Sequence, residues 1–223
     1  MIDSLKKNGV QFNQVFNHTK QPAEGEIIKR ISGGDMTAGS CSSLAFCYIG
    51  NKHGLNVLDF RGGTSQKFFS RNSNIIGISK LKGIDAQIIK VDKEAGDTWK
   101  ILQGLPQDKQ YYLAVGKHAA MVRNTEHGVE YLELQSRHEE QNGWNPFEGN
   151  KIYSTPVQVL QKRFGCRKTV DKMKLFTGDF VFKKDVILMD ADSFKDNDGF
   201  KEILGYINTA EDKQKKGAAG SVR

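Results

Sequence analysis

The chain has 223 residues and a mass of 25.0 kDa, is 38% hydrophobic and 26% charged, and carries a net charge of +7. That length and composition can bury a core without metal or disulfide staples, and they exclude a disordered or collagen-like chain. No run approaches ~18 uncharged apolar residues, so no membrane-spanning helix is expected; the first 30 residues hold Lys6, Lys7, Lys20, Lys29 and Arg30 with no apolar block, so neither is a secretory signal.

The residues to about 34 read as an arm with one short helix, Ser4 to Phe16, and then a loop. Ser42 to Lys52 reads as a helix with Leu44, Cys47, Tyr48 and Ile49 on one side and Gly54 as its C-terminal cap. Asn56 to Phe60 reads as a strand, Arg61 to Ser65 as a turn and Gln66 to Arg71 as a helical turn. Ala86 to Val91 is a strand by its Ile and Val content, and Glu94 to Leu102 a helix. Tyr111 to Val115, Ala119 to Asn124 and Val129 to Leu134 form the clearest β region, the last two joined at Thr125-Glu-His-Gly128. Pro156 to Phe164 is a helix with Pro in its first turn, Phe180 to Met189 one long strand or a strand pair, and Phe200 to Asn208 a final helix. The mixture predicts an α+β fold with a mainly antiparallel sheet. The tail from 211 to 223 lacks apolar anchors and reads as flexible and basic.

Charge is unevenly spread. Lys162 to Lys184 holds eight basic residues against Asp171 and Asp179, whereas Glu126 to Glu148 holds six Glu against Arg137. A basic stretch of this kind suits nucleic acid or an acidic partner, or simply a solvated face. The cysteines are Cys41, Cys47 and Cys166, an odd number with no C-x-x-C and no Cys/His pair at zinc spacing. A reducing, cytoplasmic setting is expected, with no metal and no cofactor.

Three segments carry chemistry. Thr37-Ala-Gly-Ser-Cys41-Ser-Ser-Leu-Ala45 puts small residues before a helix and a Cys in its first turn. There the macrodipole and unpaired N–H groups favour a thiolate and offer an oxyanion site. Ser40 and Ser42 then flank a substrate path. A lone Cys is more often a small buried hydrophobe. The second segment, Val115-Gly-Lys117-His118-Ala-Ala-Met-Val122, opens a strand with a His. The third, Val129-Glu-Tyr-Leu-Glu133-Leu-Gln135, returns from the hairpin. A two-residue turn at His127-Gly128 puts Ala120 opposite Gln135 and Val122 opposite Glu133, so His118, Glu133 and Gln135 share one face. Polar residues on a face otherwise of Ala and Val need a reason, and orienting an imidazole supplies one. Together these form a Cys–His–acid/amide nucleophilic system, with Glu133 and Gln135 both open for the third role. Asp59-Phe-Arg61-Gly-Gly-Thr-Ser65 can bind an anion through N–H groups and the guanidinium, or is a tight turn. Asp190 to Gly199 fails calcium-loop spacing and reads as a loop and helix cap.

Ser40-Cys41-Ser-Ser-Leu, Lys117-His118-Ala-Ala-Met-Val-Arg123 and Glu130-Tyr-Leu-Glu-Leu-Gln135 resemble the papain-like toxin families of bacterial polymorphic and phage-carried toxins. The resemblance spans Asp35 to Ser136 and implies Cys41 as nucleophile, His118 as base and Glu133 where the family has Asp, with Gln135 matching the Gln two residues on. Lys117 replaces the usual Gly before the His, and Leu134 replaces a Pro; because papain-like enzymes often carry an amide near the His, the resemblance also makes Asn145 a spare for the orienting role. Asp59-Phe-Arg-Gly-Gly63 and Gly205-Tyr-Ile-Asn-Thr-Ala210 also resemble toxin-type domains fused to phage minor head proteins. The resemblance implies a papain-like domain over 35–210, with an arm (1–34) and a tail (211–223). In it the helix bearing the nucleophile packs on the sheet. The implied function is a cysteine-dependent amide hydrolase or acyl transferase, a protease or protein glutamine deamidase used as a toxin or effector. Its substrate is a protein in a bacterial cell, its counterpart an immunity protein, and its setting the cytoplasm, a virion or delivery into a target cell. Ser40, Ser42, Arg61 and Lys117 are its expected substrate contacts. The rival readings are a nucleic-acid-binding protein or nuclease using residues 162–184, with at most weak nucleic-acid contact otherwise, and a non-enzymatic virion-associated protein.

Overall fold

A computed structural model of the chain describes residues 1–32, 41–58, 63–136, 138–167, 172–175, 178–181 and 184–208. Ser40, Arg61, the rest of the segment 33–40 and the basic tail lie outside the described residues.

The elements run α1 (Ile2–Lys7), β1 (Phe16–Asn17), α2 (Glu24–Ile31), α3 (Cys41–Lys52), β2 (Leu55–Asn56), α4 (Gly63–Phe69), α5 (Asn72–Ser79), β3 (Ala86–Val91), α6 (Glu94–Gln103), β4 (Gln110–Val115), β5 (His118–Thr125), β6 (Gly128–Glu133), β7 (Gly143–Pro146), α7 (Pro156–Lys162), β8 (Lys172–Leu175), β9 (Gly178–Val181), β10 (Lys184–Asp190) and α8 (Asp198–Ile207). Six strands form one sheet in the order β3-β10-β4-β5-β6-β7, and every adjacent pair is antiparallel. The fold is thus α+β with a mainly antiparallel sheet.

Both faces of the sheet are covered, which is why β4 and β5 read as almost unbroken apolar runs. On one face Tyr112, Ala114, Ala119, Met121, Leu132, Ile187 and Met189 pack against α3 and α8. On the other, Leu113, Val115, Ala120, Val122, Tyr131 and Leu188 pack against α6 and α7 with Phe147 and Phe164. Tyr131, Phe147 and Phe164 form a ring cluster with centroids 5.2–5.9 Å apart.

Helix α3 is central. Every residue from Ser42 to Asn51 is buried, rather than one stripe of four, as expected of a helix that is apolar almost all round. Phe46 stacks on Tyr112 at 4.6 Å. At Gly50 a Cβ would meet Leu204 Cδ1 at 2.7 Å, so α8 crosses α3 where the side chain is absent. Gly54, with φ +87°, follows the helix in the left-handed conformation expected of its cap.

The N-terminal segment differs from its reading as an arm with a helix over Ser4 to Phe16. That helix stops at Lys7, and a second one, α2, forms at Glu24–Ile31. The Ala23 N–H donates to Glu26 Oε2 at its start, and Ile27 and Ile31 enter the core with Leu5 and Val15. Helix α5 is a further element that the sequence pattern does not announce; its Ile75 and Ile78 are buried. Phe180 to Met189 resolves into β9 and β10, which belong to different sheets.

Asn51, fully buried, joins these parts. Its Nδ2 donates to Cys47 O and Val57 O, both at 2.8 Å, while Oδ1 contacts His18 Nε2 at 2.8 Å and accepts from Arg30 Nη1 at 3.3 Å. Removing the amide strands several buried partners at once. Asn51→Ala is expected to destabilise the protein by about 3 kcal/mol, read as a lowered midpoint in urea denaturation.

Candidate active site

Cys41 opens α3, which lies across β5. The Ala119 and Ser42 backbone N–H groups lie near enough to its sulfur to favour a thiolate, so the thiol sits against the strand that His118 begins. Ser42, an expected substrate contact, is 2% exposed and its hydroxyl pairs with Tyr112 Oη at 2.7 Å. That hydroxyl anchors α3 to β4.

His118 is placed by the β4–β5 turn. Gly116 has φ +63°, and a Cβ there would collide with Phe164 O and meet Cys166 N at 2.9 Å. The Lys117 N–H donates to Phe164 O at 2.8 Å. The turn therefore lies directly on the backbone just beyond α7. The imidazole packs edge-on against the Phe164 ring, centroids 5.1 Å apart. Its Nε2 is buried with no hydrogen-bond partner among the described residues.

The hairpin register differs from the expected one. Val122 faces Tyr131 and Thr125 faces Gly128, so the two-residue turn is Glu126-His127. Gly128 (φ +104°) pairs with Thr125 instead of occupying the turn, and Thr125 Oγ1 holds both His127 N–H and Gly128 O. Cys41, His118, Glu133 and Gln135 all line one narrow gap between α3, β5 and β6.

Glu133 does not reach the imidazole by hydrogen bond. Arg163, at the end of α7, donates Nε to Glu133 Oε2 and Nη2 to Glu133 Oε1 at 2.7 Å, and the Gln135 N–H donates to Oε1 at 2.8 Å. In the sequence Arg163 belongs to the basic stretch and reads as surface charge. It is instead a half-buried partner of Glu133, and nothing in a run of Lys and Arg distinguishes it. Gly116 is equally silent in the sequence, because its partner, the Phe164 carbonyl, is distant along the chain.

Burial raises the Cys41 thiol above its ordinary value, and the Ala119 and Ser42 N–H groups and the Arg163 charge only partly offset this. A thiolate favoured by the helix start is therefore not the resting form. Burial, helped by Arg163, pushes the imidazole down to about 3 against a weaker pull from Glu133. Burial also works to raise Glu133, but Arg163, the Gln135 N–H and His118 hold it below the carboxylate range. The resting pair is a neutral thiol and a neutral imidazole. Cys47 is fully buried, and burial pushes Cys166 up to about 12.

Cys41 and His118 open onto a cleft of about 770 Å³. Lys117, an expected substrate contact, lines it, as do Arg71, Glu94, Arg167, Lys184 and Asp185. Asn145 is engaged elsewhere, its Nδ2 donating to Gln141 O and Gly143 O. Asp190 caps a turn through the Asp192 N–H and pairs with Lys109. No helix among the described residues is long and apolar enough to cross a membrane. No family model, curated protein or solved structure matches the chain.

Glu133→Ala leaves the Arg163 guanidinium half-buried without its carboxylate, and is expected to cost about 3 kcal/mol in chemical denaturation, most of it recovered in Glu133→Leu/Arg163→Met. The folded state also holds His118 neutral where the unfolded chain takes up a proton. Stability is then full above about pH 6.5 and falls as pH drops toward 3, because the unfolded state binds more protons there. Between pH 6.5 and 5 the melting temperature of His118→Asn should fall less than that of the wild type.

Proposed function

We propose that the chain is a papain-like, cysteine-dependent amide hydrolase or acyl transferase, a protease or protein glutamine deamidase, acting as a phage- or bacteria-encoded toxin or effector. The observation that carries this reading is the Cys41 thiol at a helix start, against β5, in one cleft with a buried, unpartnered His118 Nε2. A helix-borne thiol and a strand-borne imidazole lining one cleft beside an antiparallel sheet also support the papain-like architecture. A buried ring nitrogen without a partner is costly unless something visits it.

In this reading a substrate amide enters the cleft with its carbonyl carbon over Sγ. As sulfur attacks, His118 takes the thiol proton, and the C–S bond forms. The N–H groups at the α3 start meet the oxyanion. The imidazolium gives its proton to the leaving nitrogen, releasing ammonia from a glutamine side chain or an amine from a peptide bond. Water, deprotonated by His118, then opens the thioester. Glu133 acts on the imidazolium through charge, held at its distance by Arg163. Gln135, which lines the same gap as His118, is the orienting group. The substrate is then a protein in a bacterial cell, and an immunity protein would cover this cleft.

Expression in bacteria tests the reading. The wild type is expected to arrest growth, and Cys41→Ala and His118→Ala to abolish the arrest while melting within a few degrees of the wild type. Gln135→Ala should weaken it while leaving stability unchanged. Arrest by Cys41→Ala equal to the wild type would remove the catalytic reading.

A further inference from the structure

The cleft mouth is charged in an unbalanced way. Arg71 precedes α5, Lys117 lies in the β4–β5 turn, and Lys184 begins β10, and all three line the cleft that holds Cys41 and His118. Among the described residues none of these three has a carboxylate partner. The two acids of the lining are already committed. Glu94 is 6% exposed and accepts the Arg167 N–H at 2.7 Å, and Asp185 is ion-paired with Lys90. Three cations from three separate elements, with Arg167 beside them, thus line one opening and outnumber the two carboxylates among its described lining residues. Such an arrangement concentrates anionic ligands at the reacting group.

We propose that the cleft selects a peptide segment bearing acidic side chains beside the amide presented to Cys41. The proposal rests on the hydrolase reading of the same cleft. The lining favours peptide over nucleic acid. Among its described lining residues the only phenyl ring, Phe69, is fully buried, which leaves the His118 imidazole as the single ring on which a base could stack, too few for a run of bases. The rest is small or aliphatic, Ser70, Ser73, Ala114, Val115 and Ile187 among them, and suits an extended chain. Carboxylates on that chain would pair with Arg71, Lys117 and Lys184 and fix its register over the thiol.

The test uses the full chain carrying Cys41→Ala, so that nothing is turned over, and fluorescence anisotropy with four labelled probes of equal length. These are a Gln/Glu peptide, its Gln/Ser and Gln/Lys counterparts, and a single-stranded oligonucleotide. The Gln/Glu peptide is expected to bind roughly tenfold more tightly than the Gln/Ser peptide, to weaken with added salt, and to lose that advantage in Arg71→Gln/Lys117→Gln/Lys184→Gln. All three side chains are on the rim, so this variant should fold, as circular dichroism and melting will check. If it does not fold, the three single variants, each reducing the advantage, serve instead. Equal binding of the three peptides, or an advantage that survives the triple change, overturns the proposal. Tighter binding of the oligonucleotide, lost in the same variant, overturns it in favour of a nucleic-acid cleft. Binding does not need the thiol. Acid selectivity alongside growth arrest by Cys41→Ala would therefore sink the hydrolase reading alone, whereas Cys41-dependent arrest without acid selectivity would sink this proposal alone.

Discussion

The pairing of Glu133 with Arg163 is what the rest of the site hangs on. It joins the end of β6 to the end of α7, and through α7 it fixes the Phe164 carbonyl on which the β4–β5 turn rests. His118 owes its position to that turn and its ring contact to Phe164. A buried pair of this kind is weak evidence for stability, since well-packed apolar residues often do as well. Its value here is geometric and electrostatic. It keeps a carboxylate near an imidazole without a hydrogen bond between them, and sets a cation near a thiol.

That arrangement decides the resting protonation. A thiolate–imidazolium pair needs water or opposite charge to stabilise both ions, and both groups are half-buried. Burial outweighs the N–H groups at Cys41 and the Glu133 field at His118. In the proposed reaction the proton then moves only as sulfur attacks, when the developing charges on sulfur, oxygen and imidazole compensate one another. On the proposed reading, a site of this type is quiet toward small thiol reagents at neutral pH and becomes competent only once an amide fills the cleft.

The parts of the molecule most legible in the sequence are those whose signal is local. The β4–β5–β6 strands and α3 announce themselves by apolar runs and by glycines at their ends, and the proximity of Cys41 and His118 follows from them. Glu133 is conspicuous on a face of Ala and Val, but its partner lies 30 residues away, in a run of basic residues that reads as surface. The hairpin register departs from expectation because Gly128 looks like a turn residue, whereas its positive φ serves the position just after the turn. Helix α2 is hidden by the Lys and Gly around a short amphipathic stretch whose apolar face only makes sense once α3 is there to receive it.

Asn51 has a consequence for motion. One side chain ties His18 and Arg30, in the N-terminal segment, to the backbone of α3 and to Val57. The N-terminal cover and the helix that carries Cys41 therefore open together or not at all, as one cooperative unit. Amide hydrogens at the Asn51 end of α3 are then expected to exchange together with those of α2, so the persistence of the thiol's helix is tied to a short segment that is not among the described residues lining the thiol's cleft.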